Sequence, residues 1–168
     1  KIISQHLLDK PEEYDAAVLG EDPISYAAWI LKDDHWGGSI EISLFAAYYQ
    51  SQIAVGDIKS GRLDIYGQDK DYRQRVYLLY DGIHYDPLAL TYDTALPEDV
   101  DVTKFDPDDD TVAEKVKELC NREKGLFKYT DTSEFTLRCL VCREGLTGVE
   151  QAQQHAAKTN HQQFAEYK

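Results

Sequence analysis

Two groups of side chains in this 168-residue sequence have the types and spacing to do chemistry. The first is Cys139-Leu140-Val141-Cys142, with His155 following after twelve intervening residues and His161 after five more. That is the C-x2-C-x12-H-x5-H spacing of a tetrahedral zinc site, two thiolates on a hairpin and two imidazoles on a helix. Leu137, Leu146 and Ala152 stand where such a finger needs its small apolar core. A redox Cys-x-x-Cys with incidental histidines is the competing reading, and it leaves those apolar positions unexplained. The second group is His84 and Asp86. In an extended segment residues i and i+2 share a face, so the carboxylate can accept from one imidazole nitrogen and leave the other as a base, with Tyr85 pointing the opposite way. A His beside an Asp is more often a satisfied polar pair than a catalytic one, and spacing alone leaves both readings open.

The elements that must position His84 are a strand and a reversal. Arg75 to Tyr80 is β-branched and aromatic without a polar face, as in a strand covered on both sides, and Asp81-Gly82 is a tight-turn signal opening a second strand at the histidine. Upstream, helices are expected over residues 1–8, from Pro11 to Leu19 with Gly20 as its stop, and from Asp22-Pro23 with Ile24, Ala27, Ala28 and Leu31 inward. Asp33 to Gly38 is a loop in which Trp36, before Gly37-Gly38, reads as a core anchor, with His35 and Trp36 as a binding pair the other possibility. Ser39 caps a helix to about Gln50 with Ile40, Leu44, Ala47 and Tyr48 inward. Strands follow at 53–58 and 62–66, joined by the Lys59-Ser60-Gly61 turn. Antiparallel pairs behind helices make an α+β domain. Residues 93–110, acidic and proline-containing with Lys104 the single base, read as a mobile connection. A helix spans 111–124 with Val112, Val116 and Leu119 on one face and Cys120 among charged neighbours. The units are therefore 1–124, a linker at 125–133, and a finger at 134–168.

Gly82-Ile83-His84-Tyr85-Asp86 after an apolar strand resembles the histidine motif of the ovarian-tumour (OTU) family of cysteine-dependent deubiquitinases. Tyr26-Ala27-Ala28-Trp29-Ile30 and Trp36-Gly37-Gly38-Ser39-Ile40-Glu41-Ile42 resemble the helix-loop-helix ahead of that family's strands. With the finger they match the subtype that works with the valosin-containing AAA ATPase. The resemblance implies a papain-like cysteine protease fold with helices packed on an antiparallel sheet, and isopeptide hydrolysis by a thiolate. It implies His84 as the base, Asp86 as its orienter, Ile83 as a wall of the channel for ubiquitin's tail, and Lys59, Ser60 and Gly61 as a variable loop touching ubiquitin. It also places the helix near Lys115 to Cys120 at a second ubiquitin site. Ubiquitin and polyubiquitin are the implied substrates, in the ubiquitin-proteasome and ER-associated degradation pathways. The ATPase is an implied partner through a domain outside these residues.

The sequence departs from the family in its nucleophile. An Asp-Asn-Ser-Cys-like turn is absent from these residues, Cys139 and Cys142 belong to zinc, and Cys120 sits mid-helix without a glycine turn. The sequence also lacks methionine, so a piece or processed form is expected, with the nucleophile ahead of Lys1 and the chain inactive by itself. The alternative is a non-catalytic module that holds ubiquitin or another protein.

Composition limits the partners. Thirty-one acids against eighteen bases give a net charge of −13, which argues against nucleic acid, because phosphate binding rests on Lys and Arg. The finger helix opens with Val149, Glu150, Gln151 and Ala152, not with base-reading side chains, so a protein contact or a structural role is expected of it. No apolar run approaches the ~20 residues of a membrane span and the first residues lack a signal-peptide form, so cytoplasmic residence is expected, with the nucleus as a second compartment.

Overall fold

The computed structural model describes residues 1–33, 35–131, 135–161 and 163–166. Its first part is an α/β/α sandwich around a four-stranded sheet. The helices are α1 (Ile2–Asp9), α2 (Ala16–Leu19), α3 (Pro23–Trp29), α4 (Ser39–Tyr49) and α5 (Asp110–Gly125). The strands are β1 (Gln52–Asp57), β2 (Leu63–Tyr66), β3 (Arg75–Tyr80) and β4 (Tyr85–Pro87), in the order β2-β1-β3-β4.

β1 is central because both its faces are apolar. Ile53 and Val55 pack with Ile42 and Ala46 of α4, while Ala54 packs with Val116 and Cys120 of α5. Alternation along the strand thus feeds two cores, and β3 repeats it, with Val76 and Leu78 toward α4 and Tyr77 toward α5. α5 comes so close to β1 that a Cβ at Gly56 would lie 2.7 Å from Cys120 Sγ and 2.9 Å from Val116 Cγ1. Glycine is required there by space.

Several sequence expectations need correction. The sheet is mixed rather than antiparallel: β1 pairs antiparallel with β2 but parallel with β3, Ala54 opposite Tyr77. β2 and β3 flank the most buried strand on opposite sides, and short connections in the sequence do not reveal which side a strand takes. The second helix is only the turn Ala16–Leu19, because Asp15 caps it by accepting from Ala17 N and Val18 N. On α3 Ala27 is buried while Ile24 is exposed, and Leu31 beyond it is exposed too. Tyr48 of α4 is likewise exposed. Residues 93–110 are stitched to the domain by the Leu90–Val102 and Arg75–Phe105 bridges, and Phe105 is buried against Tyr77.

The finger comprises β5 (Thr136–Cys139), β6 (Gly145–Thr147), α6 (Gly148–Thr159) and β7 (Phe164–Glu166), its sheet ordered β6-β5-β7. Leu146 and Ala152 are buried and Leu137 half-buried, as the spacing requires. No helix among the described residues is long and apolar enough to cross a membrane.

Candidate functional site

His84 stands at the end of the four-residue reversal Asp81 to His84, with Tyr80 opposite Tyr85 as the closing pair. The expected two-residue turn is longer because Asp81 organises it. Asp81 Oδ1 accepts from Ile83 N at 2.8 Å and from His84 N at 2.7 Å, and Asp81 N donates to His84 O at 3.2 Å. The N–H of His84 holds the Asp81 carboxyl below the ordinary carboxylate range; partial burial opposes this and the N–H of Ile83 adds to it. Gly82 has φ +102, a backbone state that other residues rarely adopt.

The pair predicted from i, i+2 spacing is present. His84 Nδ1 lies 3.1 Å from Asp86 Oδ1, and both side chains are more than half exposed. An exposed pair of this kind contributes little to stability, so its consequence is orientation. When Nδ1 carries the proton and donates it to Asp86, Nε2 is the basic nitrogen. Tyr85 turns the other way and stacks on Tyr80, ring centroids 4.4 Å apart.

Trp36 is 66% exposed, which overturns its reading as a core anchor. Its ring meets His84 edge to face, centroids 6.2 Å apart at 78°. The approach to this position is set by Glu41, which is buried yet satisfied: Oε2 accepts from Gly38 N at 2.6 Å and Oε1 from the Tyr26 hydroxyl at 2.6 Å. Burial, and then the bond to Glu41, push the Tyr26 hydroxyl well above its ordinary range. The Gly38 N–H is one that helix α4 would otherwise leave unpaired, so Glu41 fixes both the helix start and the loop that carries Trp36. His35, the other half of the possible pair, instead stacks on Trp29 with its Nδ1 2.7 Å from the Trp29 carbonyl.

Ile83 is exposed beside the base. The loop after β1 brings Lys59 to Asp131, Nζ to Oδ1 2.6 Å, while Ser60 N donates to Asp57 Oδ1 and Gly61 takes φ +77. Lys115 and Leu119 line an apolar cleft with Leu88, Leu90 and Val112. Cys120 is fully buried, and burial, then Asp57, push its thiol up. A buried neutral thiol is a poor nucleophile.

In the finger, one ligand atom from each of Cys139, Cys142, His155 and His161 lies within 4.8 Å of the others. Cys142 Sγ is 3.4 Å from His155 Nε2, and Cys139 Sγ is 3.6 Å from His161 Nδ1. Bonds of zinc length at a tetrahedral angle separate S from N by about 3.6 Å, so the donor set fits that ion. His161 lies beyond the helix rather than on it, released by Asn160 at φ 59. Glu144 Oε2, 3.0 Å from His155 Nδ1, orients the ring from behind, a contact that ligand spacing did not reveal. Burial alone would push the Cys139 thiol up, but the N–H groups of Cys142 and Val141, with the Cys142 and His155 side chains, outweigh it and bring it down to about 6.

An edge-mounted imidazole beside a carboxylate on a mixed-sheet domain, followed by a Cys2His2 cluster, gives the chain one candidate base and one candidate metal site. Residues 133–167 match the family described as the C-terminal C2H2-type zinc finger of ubiquitin thioesterase OTU1. The chain is 42% identical to ubiquitin thioesterase OTU1 of Dictyostelium discoideum, over 99% of this chain and 51% of that protein. To the Homo sapiens protein of the same name it is also 42% identical, over 99% and 47%. To the ovarian tumor domain-containing deubiquitinating enzyme 2 of Arabidopsis thaliana it is 41% identical, over 100% and 83%. A solved structure of an ovarian tumor (OTU) domain in complex with ubiquitin superposes with TM-score 0.67 and 28% identity, covering 77% of this chain and 72% of that one. The chain belongs to the OTU domain family. It spans about half the length of the first two relatives.

Proposed function

We propose that this chain provides the base-bearing part of a thiol-dependent ubiquitin hydrolase. The observation that carries the reading is the 3.1 Å contact between His84 Nδ1 and Asp86 Oδ1 at an exposed edge beside Trp36. Support comes from relatives named ubiquitin thioesterases and from the OTU domain solved with ubiquitin.

In this reading His84 Nε2 takes the proton of a cysteine nucleophile, and the thiolate attacks the carbonyl that joins ubiquitin's C-terminus to a lysine amine. As the C–N bond breaks, the imidazolium gives its proton to the departing amine and a thioester remains. The same nitrogen then takes a proton from water, which attacks the thioester and releases ubiquitin's carboxylate and the thiol. Asp86 holds the ring for each transfer. None of the three cysteines here suits the role, Cys120 being buried and the others in the finger, so the nucleophile belongs to sequence outside these 168 residues. Ile83 forms a wall of the tail channel and the loop of Lys59, Ser60 and Gly61 meets the body of ubiquitin. The cleft near Lys115 is a second ubiquitin contact.

Cys139, Cys142, His155 and His161 hold a structural Zn2+, whose binding supplies the folding free energy that so small a unit lacks. A valosin-containing AAA ATPase as partner, polyubiquitin as substrate, ER-associated degradation as setting and the cytoplasm as compartment belong to the same proposal. Its test is His84→Ala in an enzyme that includes the nucleophile. Cleavage of a fluorogenic ubiquitin C-terminal amide should fall at least about 100-fold, in line with loss of a general base, while ubiquitin binding stays within a few-fold. Near-wild-type turnover would end the assignment.

A further inference from the structure

The segment between the two units is bound to the turn that carries His84. Thr130 N donates to Asp81 O at 2.6 Å, and the Thr130 carbonyl lies so close that it leaves no room for a Cβ at Gly82. One residue on, Asp131 pairs with Lys59 at 2.6 Å. The segment therefore crosses from the Asp81-Gly82 reversal to the loop after β1. Asp81 is held at two ends at once, its carbonyl by Thr130 and its side chain by the amides of Ile83 and His84. The Tyr80 hydroxyl donates to Gly82 O at 2.8 Å and closes the third side.

From these contacts we infer that residues 128–131 are a strap that positions the His84 turn and ties the finger to it. A four-residue reversal with a glycine at φ +102 has many states available, and its own bonds constrain only one edge of it. The strap restrains the opposite edge through backbone groups, with Asp131–Lys59 keeping it seated. Phe135, which accepts from Gly148 N at 2.7 Å, is the first of the described residues bonded into the finger. It is four Cα steps from Asp131, so a fully extended chain separates them by at most ~14 Å. Phe135 is thereby kept within ~14 Å of Asp131.

The catalytic consequence rests on the hydrolase reading; the structural one does not, and the two are read separately. Amide hydrogen exchange in this chain reads the strap. Thr130→Pro removes the donor, Asp131→Lys sets like charge against Lys59, and Thr130→Ala keeps the backbone bond. The first two should speed exchange at Ile83 and His84 about tenfold or more relative to Tyr77, with Thr130→Ala within about twofold of wild type. Unchanged exchange in both would overturn the strap. In an enzyme that includes the nucleophile, Thr130→Pro should lower kcat about tenfold, equivalent to one decade in rate, with KM within about twofold. Faster exchange with unaltered kcat would overturn the positioning role. If instead His84→Ala left turnover intact, the hydrolase reading would fail while the exchange result stood.

Discussion

The Trp36 indole meets the His84 imidazole edge to face, ring centroids 6.2 Å apart, although Trp36 is 66% exposed. In the hydrolase reading proposed above, such a ring would restrict the imidazole from one side. Aromatic pairs of this geometry contribute about 0.5–1.5 kcal/mol beyond area burial. In an enzyme that includes the nucleophile, Trp36→Ala should therefore lower kcat/KM on a ubiquitin amide by about tenfold, with Trp36→Phe intermediate. Because the ring is mostly exposed, the melting temperature should move by no more than a few degrees. An unchanged kcat/KM would remove Trp36 from the site.

Glu41 governs the same loop from below. Glu41→Ala would leave the Gly38 N–H and the Tyr26 hydroxyl without their acceptor, and each buried unsatisfied group costs about 1–3 kcal/mol. Thermal unfolding should drop by several degrees, since 1 kcal/mol shifts a protein of this size by about 2–4 °C. Glu41→Gln keeps one acceptor and should lie between. A melt identical to wild type in Glu41→Ala would mean that the carboxylate is not what starts α4.

Legibility in the sequence followed how local the constraint was. The clustering of Cys139, Cys142, His155 and His161 could be read because a tetrahedral site fixes spacings within a few residues, and the contact of His84 with Asp86 because an extended segment has a period of two. Trp36 could not, because its exposure depends on Glu41 bonding Gly38 and Tyr26, a contact across fifteen residues. The parallel pairing of β1 and β3 was hidden because residues 67–74 are as compatible with one flank of β1 as with the other. Thr130 left no signal at all, since it acts through its backbone N–H, which every residue but proline carries.

Gly56 faces α5 without room for a methyl group. Gly56→Ala should push Cys120 and Val116 apart and destabilise the domain by roughly 1–3 kcal/mol, the usual cost of overpacking. Cys120→Ala should relieve part of that loss in the double variant, because Cys120 Sγ is the nearest atom. Strict additivity of the two changes in chemical unfolding would argue against direct contact. In an enzyme that includes the nucleophile, Cys120→Ser by itself should leave labelling by a ubiquitin-based electrophile intact.

The Asp81 carboxyl is held below its ordinary value of 3.8, first by the N–H of His84. A depressed folded value means that its contribution is complete above the unfolded value and is lost as pH falls through the folded one. The Asp81 carboxyl carbon resonance should thus show its main inflection below 3.8. An Asp81 carboxyl inflection above 4 in the wild-type chain would contradict the assignment.

With zinc held as proposed, the finger separates metal-dependent from metal-independent folding. Its sheet and α6 pack on Leu137, Leu146 and Ala152, too little apolar surface to fold unaided, whereas the sandwich has two cores of its own. Removal of zinc by a strong chelator, or Cys142→Ser, should unfold residues from about Phe135 onward while Val76 to Leu88 stay ordered by NMR. Glu144→Ala should be milder. It leaves all four ligands but frees His155 Nδ1, and loss of such an orienting carboxylate lowers metal affinity about 10–100-fold. Zinc competition with a chromophoric chelator measures that shift. A stoichiometry near zero in the wild-type chain would refute the zinc site. An unshifted affinity in Glu144→Ala would confine the error to the role given to Glu144.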